Sequence, residues 1–225
     1  MKPWVYIFLV FGLFGQLQAQ QWSDDEVRER LNLGLKLGLG LGSFYGKELK
    51  HPTPMMGFQA GVFMHGKDTN SRLNWQTGLD ARFRGSNFNN GDSGNTAYTK
   101  IALITIDVPM LLNIRTGKVR SGNYNAVQLG ITASYILKSM VYVGEDKTPA
   151  QQNNYLKTWS KLPLKPIDYQ LVVGFQHRGQ VSGYQINFKY SLFNLNNNFK
   201  LEGMLPATGT GKFIGTFSLD FGFLF

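Results

Sequence analysis

The sequence predicts an all-β protein, an eight-stranded antiparallel up-and-down transmembrane β-barrel, and three observations carry that prediction. Eight runs alternate apolar and polar residues with period two. The connections between them are alternately long and short. The last run sets Phe221, Phe223 and Phe225 on one face, an alternating aromatic end of the kind that outer-membrane barrel-assembly machinery recognises.

The 225 residues bound the chain to one domain or at most two small ones. Charged residues are 16% of the chain, against roughly 25% in an ordinary soluble domain, and glycine is abundant, at 26 residues. This composition suits a water-soluble surface poorly. The absence of cysteine excludes a disulfide scaffold, a zinc finger, an iron–sulfur centre and a thiol nucleophile. The formal charge of +9 does not point to nucleic acid, because the basic residues form no continuous block. No cofactor is indicated.

Residues 1–19 read as a secretory signal peptide. Lys2 supplies the positive start, Val5–Phe14 the apolar stretch and Leu17-Gln18-Ala19 the cleavage site. Residues 20–30 form a short periplasmic lead, and 31–225 the barrel. In the first strand Leu31, Leu33, Leu35, Leu37, Leu39 and Leu41 alternate with Asn32, Gly34, Lys36, Gly38, Gly40 and Gly42. A strand puts all six leucines on one face, whereas a helix scatters them. The second strand sets Met56, Phe58, Ala60, Val62 and Met64 against Gly57, Gln59, Gly61 and His65. The third sets Leu73, Trp75, Leu79, Ala81 and Phe83 against Asn74, Gln76, Asp80, Arg82 and Arg84.

The fourth strand turns Ile104, Ile106, Val108, Met110, Leu112 and Ile114 outward, with Thr105, Asp107, Asn113 and Arg115 opposite. Pro109 in this run removes a ladder donor and is expected to mark a bulge or the strand's end. The fifth has Val127, Leu129, Ile131, Ala133, Tyr135 and Leu137 opposite Gln128, Gly130, Thr132, Ser134 and Lys138. The sixth opposes Tyr169, Leu171, Val173 and Phe175 to Asp168, Gln170, Gly174 and Gln176. The seventh opposes Tyr184, Ile186, Phe188 and Tyr190 to Gln185, Asn187, Lys189 and Ser191. The eighth carries Phe213, Phe217, Leu219, Phe221, Phe223 and Phe225 against Thr216, Ser218, Asp220 and Gly222.

Long connections are expected over Ser43–Met55, Gly85–Thr99, Gly144–Lys165 and Asn194–Lys212, and short turns over Gly66–Ser71, Gly117–Asn123 and His177–Gln180. Long external loops with short periplasmic turns are the pattern of outer-membrane barrels. Alternation alone also fits a soluble barrel with its apolar face inward. The polar face here is mostly Gly, Asn, Gln, Ser and Thr rather than Lys and Glu, which puts the apolar face against lipid.

Four segments follow in order: Gly57-Phe-Gln-Ala-Gly-Val-Phe63, Ile104-Thr-Ile-Asp-Val-Pro-Met-Leu-Leu-Asn-Ile-Arg115, Asp168 before Val173-Gly174, and Lys189-Tyr-Ser-Leu-Phe-Asn-Leu195. In these segments and their order, over essentially the whole mature chain, the sequence resembles the PorT-family outer-membrane β-barrels of Bacteroidetes. The chain departs from the family in lacking its aromatic before the fourth-strand acid and in having Asn113 where a lysine is common. The resemblance implies a barrel and an accessory role in type IX protein secretion or gliding.

The lumen of so small a barrel is expected to hold a charge cluster: Lys36, Asp80, Arg82, Arg84, Asp107, Arg115, Lys138, Asp168, Lys189 and Asp220. These charges can pair across the lumen, with room left by the glycines of the first strand. An ion- or ligand-binding lumen is the functional alternative to a salt-bridged plug. The three histidines, His51, His65 and His177, form no nucleophile–base constellation. The expected role is therefore structural or one of protein interaction, with an enzyme acting on lipid A or peptides and a small passive pore as alternatives. The expected partners are outer-membrane lipids and lipopolysaccharide, the assembly machinery, and proteins at the external loops or periplasmic face. In the loops, Phe88, Tyr98, Tyr155 and Trp159 are contact surfaces or bilayer-edge anchors, beside Lys47, Lys50, Lys147, Lys157 and Lys161.

Overall fold

The computed structural model describes residues 31–46, 49, 52–66, 72–89, 97–120, 123–145, 164–179, 182–195 and 214–225. The signal peptide, the lead, His51, Phe213 and most of the loop residues named above lie outside them. Eight strands follow in chain order: β1 (Leu31–Tyr45), β2 (Pro52–Gly66), β3 (Leu73–Asn89), β4 (Ala97–Arg120), β5 (Asn123–Glu145), β6 (Ile167–Arg178), β7 (Gly183–Ser191) and β8 (Gly215–Leu224). Each pairs antiparallel with the next, and β1 also pairs with β8, which closes the barrel. Closure leaves no strand edge with unpaired backbone groups, the condition for a β-structure in hydrocarbon.

The faces follow the period-two pattern. Leu33, Leu35, Leu37, Leu39 and Leu41 are exposed on the outer surface, as are Leu129 and Ile131 of β5 and Leu219, Phe221, Phe223 and Phe225 at the end of the chain. Lys36, Gln76, Asp107, Gln170 and Asp220 are buried inside. An apolar exterior around a polar, buried interior inverts the ordinary globular arrangement.

The connections at one end, 46–51, 90–96, 146–166 and 192–214, define the loop end, and those at the other, 67–72, 121–122 and 179–182, the turn end. Two of the expected long connections are largely strand. β2 begins at Pro52, and its pairing with β3 holds Thr53 opposite Asn87; β3 and β4 stay paired out to Asn89 and Tyr98. Pro52 and Pro54 pair with Phe88 and Ser86 of β3 beyond the point where the β1 ladder stops, at Gly42 and Met55, so β2 is an edge there, where proline is tolerated. Phe88, expected in a loop, is instead buried in β3.

Pro109 also differs from expectation, marking neither a bulge nor a strand end. It pairs with Thr132 of β5 in mid-strand. Toward β3 the ladder skips from Thr77–Met110 to Asp80–Asp107 without changing register. The proline thus opens a local gap, in which Thr77 Oγ1 donates to the Pro109 carbonyl at 2.7 Å. The true bulge in β5 is Leu137, since Ile104 pairs with Lys138 and Thr105 with Ile136.

The orientation of the faces sets a stability test. Leu37→Arg, on the outer face, should lower stability in a lipid refolding titration by about 2–4 kcal/mol. Leu37→Met should stay within the roughly 1.5 kcal/mol of a volume-conserving apolar swap. Equal stability of the two variants contradicts a lipid-facing β1.

A charge-balanced lumen

The inner face of β3 passes through every layer of the interior, running from Asn74 and Gln76 near the turn end, through Asp80, Arg82 and Arg84, to Ser86 and Phe88 at the loop end. Near the turn end is an amide layer. Gln128 Nε2 donates to Asn113 Oδ1 at 2.8 Å and to Gln76 Oε1 at 3.3 Å, and Gln76 Nε2 donates to Gln185 at 3.4 Å. At the loop end, Phe44, Phe88, Ile101, Leu103, Val141 and Ile214 form an apolar cluster inside the wall. Alternation gave no sign of this cluster; the signal was Ile101-Ala-Leu-Ile104, where both faces of the strand are apolar at once.

Between these layers lie eight of the ten expected lumen charges. Lys36, Arg82, Arg84 and Lys189 face Asp80, Asp107, Asp168 and Asp220, and all eight are buried. Lys36 pairs with Asp80, and Arg84 Nη2 donates to Asp168 Oδ2 at 2.9 Å. The other four close a ring. Arg82 pairs with Asp220 and, at 3.5 Å, with Asp107; Lys189 reaches Asp107 at 3.3 Å and Asp220 at 3.5 Å. Four cations against four carboxylates leave this layer formally neutral.

The remaining two charges lie elsewhere. Lys138 is exposed on the outer face, because the Leu137 bulge shifts the alternation of β5 by one residue. Arg115 sits half-buried at the turn end, its guanidinium 4.7 Å from the centroid of the Tyr124 ring. In the orientation that satisfies both its amide atoms, Asn74 accepts from Arg115 Nη2 at 2.6 Å. The expected basic excess in the lumen is therefore corrected to a balance.

Hydroxyls extend the network. Thr216 Oγ1 is within hydrogen-bond distance of Arg84 Nη1 at 2.8 Å, Gln170 Nε2 and Ser191 Oγ at 2.9 Å, and Asp168 Oδ2 at 3.0 Å. Thr105 donates to Asp107 at 2.7 Å, and Ser218 accepts from Arg82 at 2.6 Å. Glycines make room for the carboxylates: a Cβ on Gly40 would lie 2.5 Å from Asp220 Oδ1. The gap lined by Gly40, Gly57, Gln59, Arg82 and Asp220 is too tight to admit a water molecule. Among the described residues, no group of three or more His, Asp or Glu is arranged to hold a metal ion. The arrangement fills the barrel with side chains that are largely paired to one another.

Thr216→Val keeps the side-chain shape but removes the hydroxyl from these buried partners. It should destabilise the barrel by about 1–3 kcal/mol in a urea titration. Thr116→Val, at an exposed site on β4, should change stability by less than about 0.5 kcal/mol. Indistinguishable midpoints contradict the network's contribution.

Among solved structures, the chain is similar to Neisserial surface protein A, with 8% identity, a TM-score of 0.43, and coverage of 86% of this chain and 97% of that one. It is similar to Ail, the attachment invasion locus protein of Yersinia pestis, with 11% identity, a TM-score of 0.38, and coverage of 88% and 99%. It is also similar to the translocator domain of the autotransporter NalP from Neisseria meningitidis, with 11% identity, a TM-score of 0.28, and coverage of 100% and 99%. No curated protein matches the sequence. A family model described as an outer membrane protein beta-barrel domain matches residues 18–200. The apolar exterior, the closed ladder and this match place the barrel in the outer membrane, and the chain belongs to the outer membrane protein beta-barrel domain family.

Proposed function

We propose that this barrel has a structural or protein-interaction role as a PorT-family protein of Bacteroidetes, accessory to type IX protein secretion. The observation that carries the non-catalytic, non-conducting part is the filled lumen. The neutral charge layer lies between an apolar cluster and an amide layer, so action is assigned to the two ends of the barrel. The secretion role rests on the family-like segments Gly57–Phe63, Ile104–Arg115 and Lys189–Leu195. On this reading, residues 1–19 are cleaved on export, and Phe221, Phe223 and Phe225 are read by the assembly machinery. The loop end faces outward toward lipopolysaccharide and external partners.

A deletion strain tests the role. Cargo that depends on type IX secretion should remain unexported or unanchored, while lipid A keeps its acyl chains. Planar-bilayer recordings of the purified barrel should show no stable open channel. Normal secretion in that strain removes the proposed role, altered lipid A favours an enzyme, and steady conductance favours a pore.

A further inference from the structure

Seven of the eight ladders join strands that follow one another in the chain, so each can form as a local hairpin. The eighth joins the two ends of the barrel sequence, pairing β1 with β8 from Lys36–Leu224 to Tyr45–Gly215. Bringing these ends together carries the largest loop-closure entropy of any ladder. The seam also has few side chains on its inner face. Gly38, Gly40 and Gly42 of β1 lie opposite Gly222, Asp220 and Ser218 of β8. Lys36 and Ser43 of β1 turn instead to β3, where Lys36 pairs with Asp80 and Ser43 Oγ lies 3.1 Å from Ser86 Oγ.

The seam is fastened at its two ends. At the turn end, Leu35 and Phe225 exchange backbone hydrogen bonds of 3.0 and 2.9 Å. At the loop end the fastening is a side chain. Phe44 enters the apolar cluster inside the wall, so Tyr45, the last residue of β1, lies on the outer side. Its Cα partner is Gly215, the first residue of β8, and a Cβ on that glycine would overlap the Tyr45 ring. The ring therefore crosses β8 and reaches β7. There it stacks on Tyr190, with centroids 4.5 Å apart and planes at 17°, and its hydroxyl donates to the Ser191 carbonyl at 2.6 Å. Ser191 ends β7, and its own Oγ accepts from the Thr216 N–H at 2.9 Å. One tyrosine thus ties the end of β1 to the end of β7 across the start of β8.

We propose that Tyr45 is a latch on the closing seam, engaging after β1 and β8 have met and holding the finished barrel shut. Gly215 is its seat, because any side chain there displaces the ring; an aromatic laid over a glycine is a general device for pinning strands. Contacts made only after the rate-limiting step slow unfolding and leave the folding rate unchanged. The latch therefore sets how long the closed barrel lasts.

The test uses the barrel refolded into lipid vesicles, with folding and unfolding in urea followed by heat-dependent gel mobility. Tyr45→Phe keeps the ring and removes the hydroxyl; it should unfold about fivefold faster and refold at the parent rate. Gly215→Ala, which displaces the ring, should unfold faster still. The chain has no cysteine, so a disulfide can be placed across the seam with Leu39→Cys and Phe221→Cys, which are Cα partners. In that cross-linked barrel Tyr45→Phe should no longer change the unfolding rate. Its effect should survive a disulfide made with Leu37→Cys and Ala60→Cys, partners across the β1–β2 ladder. The proposal is overturned if Tyr45→Phe unfolds at the parent rate, or if refolding slows as much as unfolding quickens. It is overturned equally if the two disulfides alter the effect of Tyr45→Phe alike.

Discussion

A closed barrel of eight strands is filled by its own side chains and leaves little water to solvate a charge, so a charge placed in its lumen needs an opposite one within reach. This constraint organises the interior. Breaking a buried pair by removing one partner costs about 3–5 kcal/mol, because the other charge is stranded. Lys36, Arg82, Arg84 and Lys189 meet four aspartates drawn from β3, β4, β6 and β8, so the ion pairs tie together strands that do not share a ladder. The hydroxyls of Thr105, Thr216 and Ser218 serve some of the lone pairs and protons that the ion pairs leave over.

The same balance bears on what the molecule can do. A lumen occupied by paired charges, with an apolar cluster over it, has little left with which to bind substrate or pass ions. Under the proposed role, recognition falls to the ends. The wall is uneven: β3, β4 and β5 span 17, 24 and 23 residues, whereas β6, β7 and β8 span 12, 9 and 10. Crossing the bilayer takes about 9–11 residues. The extra length lies chiefly at the loop end, where the tall side stands clear of the membrane with Phe88, Ile101, Leu103 and Val141 in its own small core.

Much of the architecture was legible because a strand in a barrel has two faces with opposite solvents, and period two writes that contrast directly into the sequence. The leucines of β1 and the phenylalanines of β8 report it without ambiguity. The pattern misled where the backbone broke the period or where both faces were apolar. Nothing in Tyr135–Lys138 announces the Leu137 bulge that moves Lys138 outside. Phe88 falls within an expected connection, and Ile101–Leu103 stand outside the alternating run, because a wall standing above the bilayer no longer alternates. Pro109 is expected to mark a bulge or strand end because its missing N–H is local knowledge, while the Thr77 hydroxyl that meets its carbonyl comes from another strand. The lumen charges were visible one by one, but their neutrality depends on which residues share a height, which only the register supplies.

Neutrality of the charge layer is the central claim, and a cycle on the four-membered ring tests it most directly. Asp107→Asn leaves the layer with one extra positive charge, Lys189→Met with one extra negative charge, and the double variant restores balance. Unfolding titrations of the refolded barrel should show each single variant destabilised by about 3–5 kcal/mol. The double variant should lie within about 2 kcal/mol of the parent. If the two losses simply add in the double variant, the layer is not held by charge balance and the account fails.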